Sequence, residues 1–159
     1  MNIALIGYGK MGKSIEAMAL ELGHTIVSKI DSEDFTSSDL SNADVAIEFS
    51  QPNVAVENIK KCFKADIPVV VGTTGWYDQY EEICKLAEDT GQSLFTATNF
   101  SIGVNIVFNI NQKLAKIMNQ FPEYDVHMTE IHHLEKKDPP SGTASTLAEG
   151  VIKAIDRKT

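Results

Sequence analysis

The residue types best suited to acid–base chemistry are concentrated in residues 130–144, which read EIHHLEKKDPPSGTA. His132 and His133 are adjacent, and Lys136 follows four residues after the first of them. Imidazole titrates near neutral pH and can donate or accept a proton, and lysine supplies a compact positive charge. The run Ser141-Gly142-Thr143 is typical of a helix N-terminus, where backbone N–H groups and a hydroxyl can bind a carboxylate. The segment therefore indicates an anionic substrate and proton transfer.

Each part of this segment also has a plainer interpretation. A histidine on a strand is often structural, the run of charges from Glu135 to Asp138 is compatible with a solvated loop, and Pro-Ser-Gly-Thr is a normal helix cap. The conjunction of all three within fifteen residues favours a chemical site.

A second pattern, Gly7-x-Gly9-x-x-Gly12, follows the first apolar run directly. In dinucleotide-binding folds the first glycine permits a tight turn, the second lets a pyrophosphate approach the backbone, and the third lets helix and strand pack closely. A purely structural glycine turn is the alternative. The order strand, glycines, helix is the context that favours nucleotide binding.

Asp31 ends the second predicted strand, 19 residues after Gly12. An acid at about this distance holds the hydroxyls of the adenosine ribose and repels a 2′-phosphate. Because Ser32 follows and no arginine offsets that repulsion, the sequence predicts NADH in preference to NADPH. Lys10, Lys13 and Lys29 are cations that could soften the preference.

Two more loops leave the carboxyl ends of predicted strands, the edge of an α/β sheet where ligands bind. They are residues 72–75 (GTTG) and residues 99–103 (NFSIG). Their small polar residues suit contacts with the nicotinamide ribose and carboxamide, or are simply turn residues.

Alternating apolar strands and amphipathic helices over residues 2–97 predict a parallel sheet with right-handed crossovers. The expected fold class is α/β, a Rossmann-type doubly wound sheet (domain 1–105), followed by the start of an α+β substrate and oligomerisation domain (106–159). Residues 125–132 resemble a further strand. The expected strands are 2–6, 25–30, 45–49, 69–71 and 93–97, and the expected helices are 10–22, 52–65, 77–90, 102–118 and one from about 143.

The formal net charge of −8 argues against nucleic acid as a partner, because a surface that binds nucleic acid must be basic enough to neutralise phosphates. Two separate cysteines form neither a metal motif nor a disulfide framework. The start MNIALIG lacks a basic leader, and no apolar run approaches the roughly 20 residues of a membrane span. We expect a cytoplasmic protein with no metal and no membrane partner.

Residues 130–144 resemble the signature of the 4-hydroxy-tetrahydrodipicolinate (dihydrodipicolinate) reductases of bacterial lysine and diaminopimelate biosynthesis. Four more segments of that family occur here in the family's order: residues 7–12 (GYGKMG), 48–50 (EFS), 72–75 (GTTG) and 99–105 (NFSIGVN). The resemblance implies hydride transfer from NADH or NADPH to a cyclic imine dicarboxylate, and a homotetramer.

The same resemblance implies roles for individual residues. His132 would be the proton donor and acceptor, Lys136 the proton donor, and His133 a substrate contact, while Gly142 and Thr143 would hold a substrate carboxylate. The nucleotide-binding residues that it implies are Gly7, Tyr8, Gly9, Lys10, Met11, Gly12, Asp31, Gly72, Thr73, Thr74, Ala97, Thr98, Asn99 and Phe100.

Two departures from the family stand out. Many members have Gly-x-x-Gly-x-x-Gly at the first turn, one residue longer than here, which could shift the pyrophosphate contacts. Members also continue into a mixed sheet, so we expect the 159 residues to be part of a longer protein.

The sequence leaves two other functions open. Another amino-acid-pathway enzyme, such as an aspartate or homoserine dehydrogenase, would lack the paired histidines followed by Pro-Ser-Gly-Thr. A non-catalytic module that binds NAD(H) would bind the nucleotide without turnover.

Overall fold

A computed structural model describes residues 1–31, 34–132 and 140–157 of the chain. The chain divides into two compact units, Met1–Ala97 and Thr98–Thr159. This structural division, after Ala97, lies N-terminal to the domain boundary that the sequence predicts after residue 105. The functional domains 1–105 and 106–159 stay a prediction.

The first unit is built on a five-stranded sheet in which every pairing is parallel. The strand order is β2-β1-β3-β4-β5, so the chain passes from β2 across β1 to β3. The point beside β1 where this direction reverses is where ligands bind in open α/β sheets. The expected Rossmann-type α/β class is confirmed. The strands are β1 Asn2–Ile6, β2 Thr25–Ile30, β3 Val45–Glu48, β4 Val69–Val71 and β5 Leu94–Thr96.

Three helices cover this sheet: α1 Lys10–Glu21, α2 Pro52–Lys64 and α3 Tyr80–Thr90. Ala4 and Ile6 of β1 belong to the larger core cluster with α2 and α3, whereas Ile3 and Leu5 pack with Ala19 of α1. Alternate residues of one strand therefore face opposite helical layers. This burial on both faces explains why the central strands are apolar at almost every position.

Local residues set the ends of these helices. Pro52 opens α2 at a position where its missing N–H is no loss. Gly91 ends α3 in the left-handed conformation, with φ of 68°. The predicted helix 77–90 divides into a 3-10 turn, Tyr77–Gln79, and α3.

The second unit contains two described helices, α4 Ile102–Met118 and α5 Gly142–Ile152. Asn111 on α4 donates a hydrogen bond to the carbonyl oxygen of Leu147 on α5, at 2.9 Å. A Cβ added at Gly150 would lie 3.1 Å from Cγ of Gln112, so the helices pack closely at this glycine. Within the described ranges, no helix is both long and apolar enough to cross a bilayer.

The prediction of a strand at residues 125–132 is wrong, because these residues form neither strand nor helix. The described part of the second unit contains no strand with which they could pair. An extended segment becomes a strand only when another strand accepts its hydrogen bonds. The alternation of apolar residues in this segment is therefore not sufficient to form a strand.

Candidate active site

The turn between β1 and α1 gives the three glycines different tasks. Gly7 has φ of +90°, and a Cβ there would lie 2.0 Å from the carbonyl oxygen of Phe49. A Cβ at Gly12 would lie 2.3 Å from the carbonyl oxygen of Gly7, whereas one at Gly9 would meet nothing within 4 Å. Gly7 and Gly12 are thus required by the turn itself. The space above Gly9 is open to a ligand.

The first turn of α1 faces this open space without a side-chain cap. Gly9 is the N-cap residue, and no acidic side chain lies in the first turn. The first amide groups of a helix have no partner within the helix and carry a partial positive charge. The turn can therefore bind a phosphate.

Asp31 lies at the edge of the same turn, where Oδ1 accepts a hydrogen bond from the backbone N–H of Tyr8, at 3.3 Å. The side chain is exposed, so the second carboxylate oxygen can accept further donors. Asp31, Gly7 and Gly9 border one cavity of about 230 Å³. Its lining residues are Ile6, Gly7, Gly9, Ile30, Asp31, Phe49, Ser50, Gln51, Val54 and Asn58.

A buried carboxylate supports the floor of this cavity. Glu48, at the end of β3, is fully buried, and its Oε1 accepts a hydrogen bond from Nδ2 of Asn58 at 3.3 Å. The same oxygen accepts hydrogen bonds from the backbone N–H of Ser50, at 3.2 Å, and from the Ser50 hydroxyl. These hydrogen bonds fix the β3–α2 turn, whose residue Phe49 lies against Gly7.

The loop after β4 is joined to that network. The Thr73 hydroxyl accepts a hydrogen bond from the backbone N–H of Ser50 at 2.8 Å, and the Thr73 carbonyl accepts one from the Trp76 indole at 2.8 Å. A Cβ at Gly72 would lie 2.0 Å from the Phe49 ring. Gly72 and Thr73 therefore have structural tasks beside any contact with nucleotide, and Thr74 is half-buried next to them.

In the second unit, the segment that precedes α4 contacts the start of α5. Nδ2 of Asn99 donates a hydrogen bond to the Thr143 hydroxyl at 3.3 Å, and the hydroxyls of Thr98 and Thr146 lie 3.1 Å apart. Asn99 was predicted to bind nucleotide and Thr143 to bind substrate. The structure brings these two residues together.

Glu130 connects His132 to α5. Both carboxylate oxygens of Glu130 lie 3.1 Å from the backbone N–H of Ser141, and Oε1 also contacts Nε2 of His132. Hydrogen bonds from Ser141, and then the one from His132, lower the pKa of Glu130 to about 2. Glu130 is therefore a carboxylate at neutral pH and fixes the His132 ring at the start of α5.

The first amides of α5 are available beside this pair. The Ser141 hydroxyl caps the helix by accepting a hydrogen bond from the N–H of Ala144, at 3.1 Å. Within the described ranges, the N–H groups of Gly142 and Thr143 have no partner. They can bind a carboxylate through the partial charge of the helix end.

The predicted site residues therefore fall in two groups. The glycine turn, Asp31 and the loop 72–74 lie in the first unit with Ala97, and Thr98–Phe100 lie in the second with His132, Gly142 and Thr143. His133 and Lys136 lie outside the described residues.

Sequence reasoning assigned no task to Glu48, Asn58 or Glu130. A carboxylate at the end of the apolar run Val-Ala-Ile was the available signal for Glu48. For Asn58 there was none, because its partner Glu48 lies ten positions away, whereas for Glu130 the available signal was its position two residues before His132 in the segment 130–144.

Comparison with known proteins adds evidence for both halves of the chain. The family model described as dihydrodipicolinate reductase, N-terminus, matches residues 1–100, and the one described as dihydrodipicolinate reductase, C-terminus, matches residues 103–159. Among curated proteins, the chain is similar to 4-hydroxy-tetrahydrodipicolinate reductases of Christiangramia forsetii and Methanobrevibacter smithii. The identities are 48% over 155 residues and 42% over 144 residues, which cover 96% and 90% of this chain.

The chain spans 64% of the first of these relatives and 51% of the second. Among solved structures, it resembles the dipicolinate-bound dihydrodipicolinate reductase of Paenisporosarcina sp. TG-14. That match has a TM-score of 0.68 and 25% identity, and covers 98% of this chain and 66% of the other. A putative oxidoreductase of Klebsiella pneumoniae shares the fold, with a TM-score of 0.51 at 18% identity over 76% of this chain and 39% of the other.

Proposed function

Because the chain belongs to the dihydrodipicolinate reductase family, we propose that the whole protein reduces 4-hydroxy-tetrahydrodipicolinate to tetrahydrodipicolinate. In cells this activity would serve lysine and diaminopimelate biosynthesis in the cytoplasm. The observation that supports the proposal best is the start of α5, where the amides of Gly142 and Thr143, which have no partner among the described residues, lie beside the Glu130–His132 pair. This arrangement combines a carboxylate site with a proton-transfer group.

A nicotinamide cofactor fits the first unit. The open space at Gly9, the uncapped start of α1 and the Asp31 carboxylate match a pyrophosphate and a ribose. When bound, the cofactor supplies the hydride. The residues proposed to hold it are Gly7–Gly12, Asp31, Gly72–Thr74 and Ala97–Phe100.

The chain's own residues would then manage charge and protons. We propose that Gly142 and Thr143 bind one substrate carboxylate, and that His133 contacts the substrate. Overall the 4-hydroxyl group of the substrate leaves as water and the hydride adds to the resulting unsaturated ring, which moves electron density toward the ring nitrogen, so that the reduced ring takes up one proton. Lys136 would donate it, and His132, oriented by Glu130, would donate or accept a proton beside it.

The experiment that tests this function is a coupled assay of the full-length protein with freshly generated substrate. We expect NADH to be oxidised only when that substrate is present. Nucleotide binding without turnover would support a non-catalytic NAD(H)-binding module instead. Turnover with an aspartate or homoserine pathway substrate would support the other dehydrogenases.

For cofactor choice, we propose that NADH is preferred. The Asp31 carboxylate would accept hydrogen bonds from the ribose hydroxyls and repel a 2′-phosphate. We expect kcat/KM for NADH to exceed that for NADPH by about tenfold or more, which corresponds to about 1.4 kcal/mol. Equal values for the two nucleotides, or a higher value for NADPH, would contradict this assignment of Asp31.

We also propose that the full-length protein is a homotetramer. The apolar side chains at every fourth position of α4, namely Ile102, Ile106, Ile110 and Leu114, are 80%, 54%, 57% and 54% exposed in this chain. An exposed row of apolar side chains is typical of a surface that packs against another protein chain. Light scattering of the full-length protein should give the mass of four chains, and a stable monomer would refute the proposal.

A further inference from the structure

A polar cluster beside the nucleotide turn joins α1 to β2. The Tyr8 hydroxyl donates a hydrogen bond to Glu16, and the other carboxylate oxygen of Glu16 lies 2.6 Å from Nζ of Lys29. The Lys29 ammonium also lies 5.2 Å from the centre of the Tyr8 ring. Glu16 thus binds both partners at once, and its side chain is only 17% exposed.

The same cluster borders Asp31. The backbone N–H of Tyr8 donates to Oδ1 of Asp31, so the Lys29 ammonium and the Asp31 carboxylate contact the same residue. Lys29 lies in β2, and Asp31 follows the end of that strand two positions later. Lys29 is therefore the β2 cation placed to approach a 2′-substituent on a ribose held by Asp31.

Both partners of the ion pair are charged at neutral pH. The hydrogen bond with Lys29 lowers the pKa of the Glu16 carboxyl, and the hydrogen bond with Glu16 raises the pKa of the Lys29 amine. A lysine that is paired in this way exerts little net attraction on a third charge, since the carboxylate cancels most of its field.

We propose that Glu16 is a specificity-determining residue that keeps Lys29 from attracting the 2′-phosphate of NADPH. The inference rests on the proposed function, because it takes Asp31 as the residue that holds the adenosine ribose. In this account, cofactor choice depends on two features: the Asp31 carboxylate repels the phosphate, and Glu16 prevents a nearby cation from offsetting that repulsion.

The test measures dissociation constants of NADH and NADPH with the full chain, by fluorescence titration without substrate. In Glu16→Gln, we expect NADPH to bind about three to five times more tightly, which is within the range of a single exposed charge contact, and NADH to change less than about twofold. The gain should decrease at high salt. Glu16→Asp keeps the charge and should retain the original preference.

Two further variants make the result specific. Glu21→Gln removes the same charge from the exposed end of α1 and should change neither constant. In Glu16→Gln/Lys29→Met, the gain in NADPH affinity should disappear. Lys13 is a second cation near Tyr8, with its Nζ 5.9 Å from the ring centre, and the double variant separates its effect from that of Lys29.

Three outcomes would overturn the proposal. One is an unchanged ratio of the two constants in a folded Glu16→Gln chain. The second is a gain that persists without Lys29, which would make Lys13 or the net charge its source. If the unaltered chain bound neither nucleotide, the proposed function would fail together with this inference.

Discussion

Replacing Lys136 with alanine should lower kcat of the full-length enzyme by about two to four orders of magnitude, the range for loss of a proton-transfer group. The affinity for NADH should change less than about twofold, because the residues proposed to hold the nucleotide are left unaltered. Stopped-flow turnover and a separate NADH titration would measure the two effects. The prediction depends on the position of Lys136 in the family's signature.

Lys137→Ala is the matched control, since it removes the same charge from the neighbouring position. We expect it to keep most of the activity. A Lys136→Ala enzyme that turns over normally once saturated with NADH would show that Lys136 is not the proton donor.

The second large effect concerns the glycine turn. Gly7→Ala should destabilise the chain by several kcal/mol, because the new Cβ would lie 2.0 Å from a backbone oxygen and φ is +90°. Urea unfolding should therefore show a lower midpoint, or no folded state. NADH binding should be lost with the turn.

Gly9→Ala separates folding from binding at the same turn. A Cβ at Gly9 would meet nothing within 4 Å, so the midpoint of unfolding should change little. Affinity for NADH should still fall by about tenfold or more, because the methyl group occupies the space proposed for the pyrophosphate. A Gly9→Ala chain that binds NADH normally would contradict this placement of the nucleotide.

Local patterns predicted most of the elements. The run Val69–Val71 reads as a buried strand because each of its residues is β-branched and apolar, and α4 begins after the capping residue Ser101 and ends at Met118 as the sequence predicts. In these cases the interactions that determine the element are made by residues a few positions apart in the sequence. Residues 125–132 were predicted wrongly because a strand depends on a partner from elsewhere in the chain.

The candidate site shows the same difference. The glycine turn, Asp31 and the start of α5 could be found from spacing, since each depends on neighbouring residues. The Asn58–Glu48 and Ser141–Glu130 contacts join residues ten or more positions apart, and the Lys29–Glu16 pair joins a strand to a helix. Sequence spacing alone does not reveal such pairs, because only the fold brings them together.

The proposed function requires that a dicarboxylate bound at the start of α5 receives hydride from the nicotinamide. A crystal structure of the full-length protein with NADH and dipicolinate tests it most directly. We predict that a dipicolinate carboxylate accepts hydrogen bonds from the N–H groups of Gly142 and Thr143, with His132 and Lys136 facing the nicotinamide. His132 and Lys136 pointing into solvent, away from that ring, would contradict the claim and leave a protein that only binds NADH.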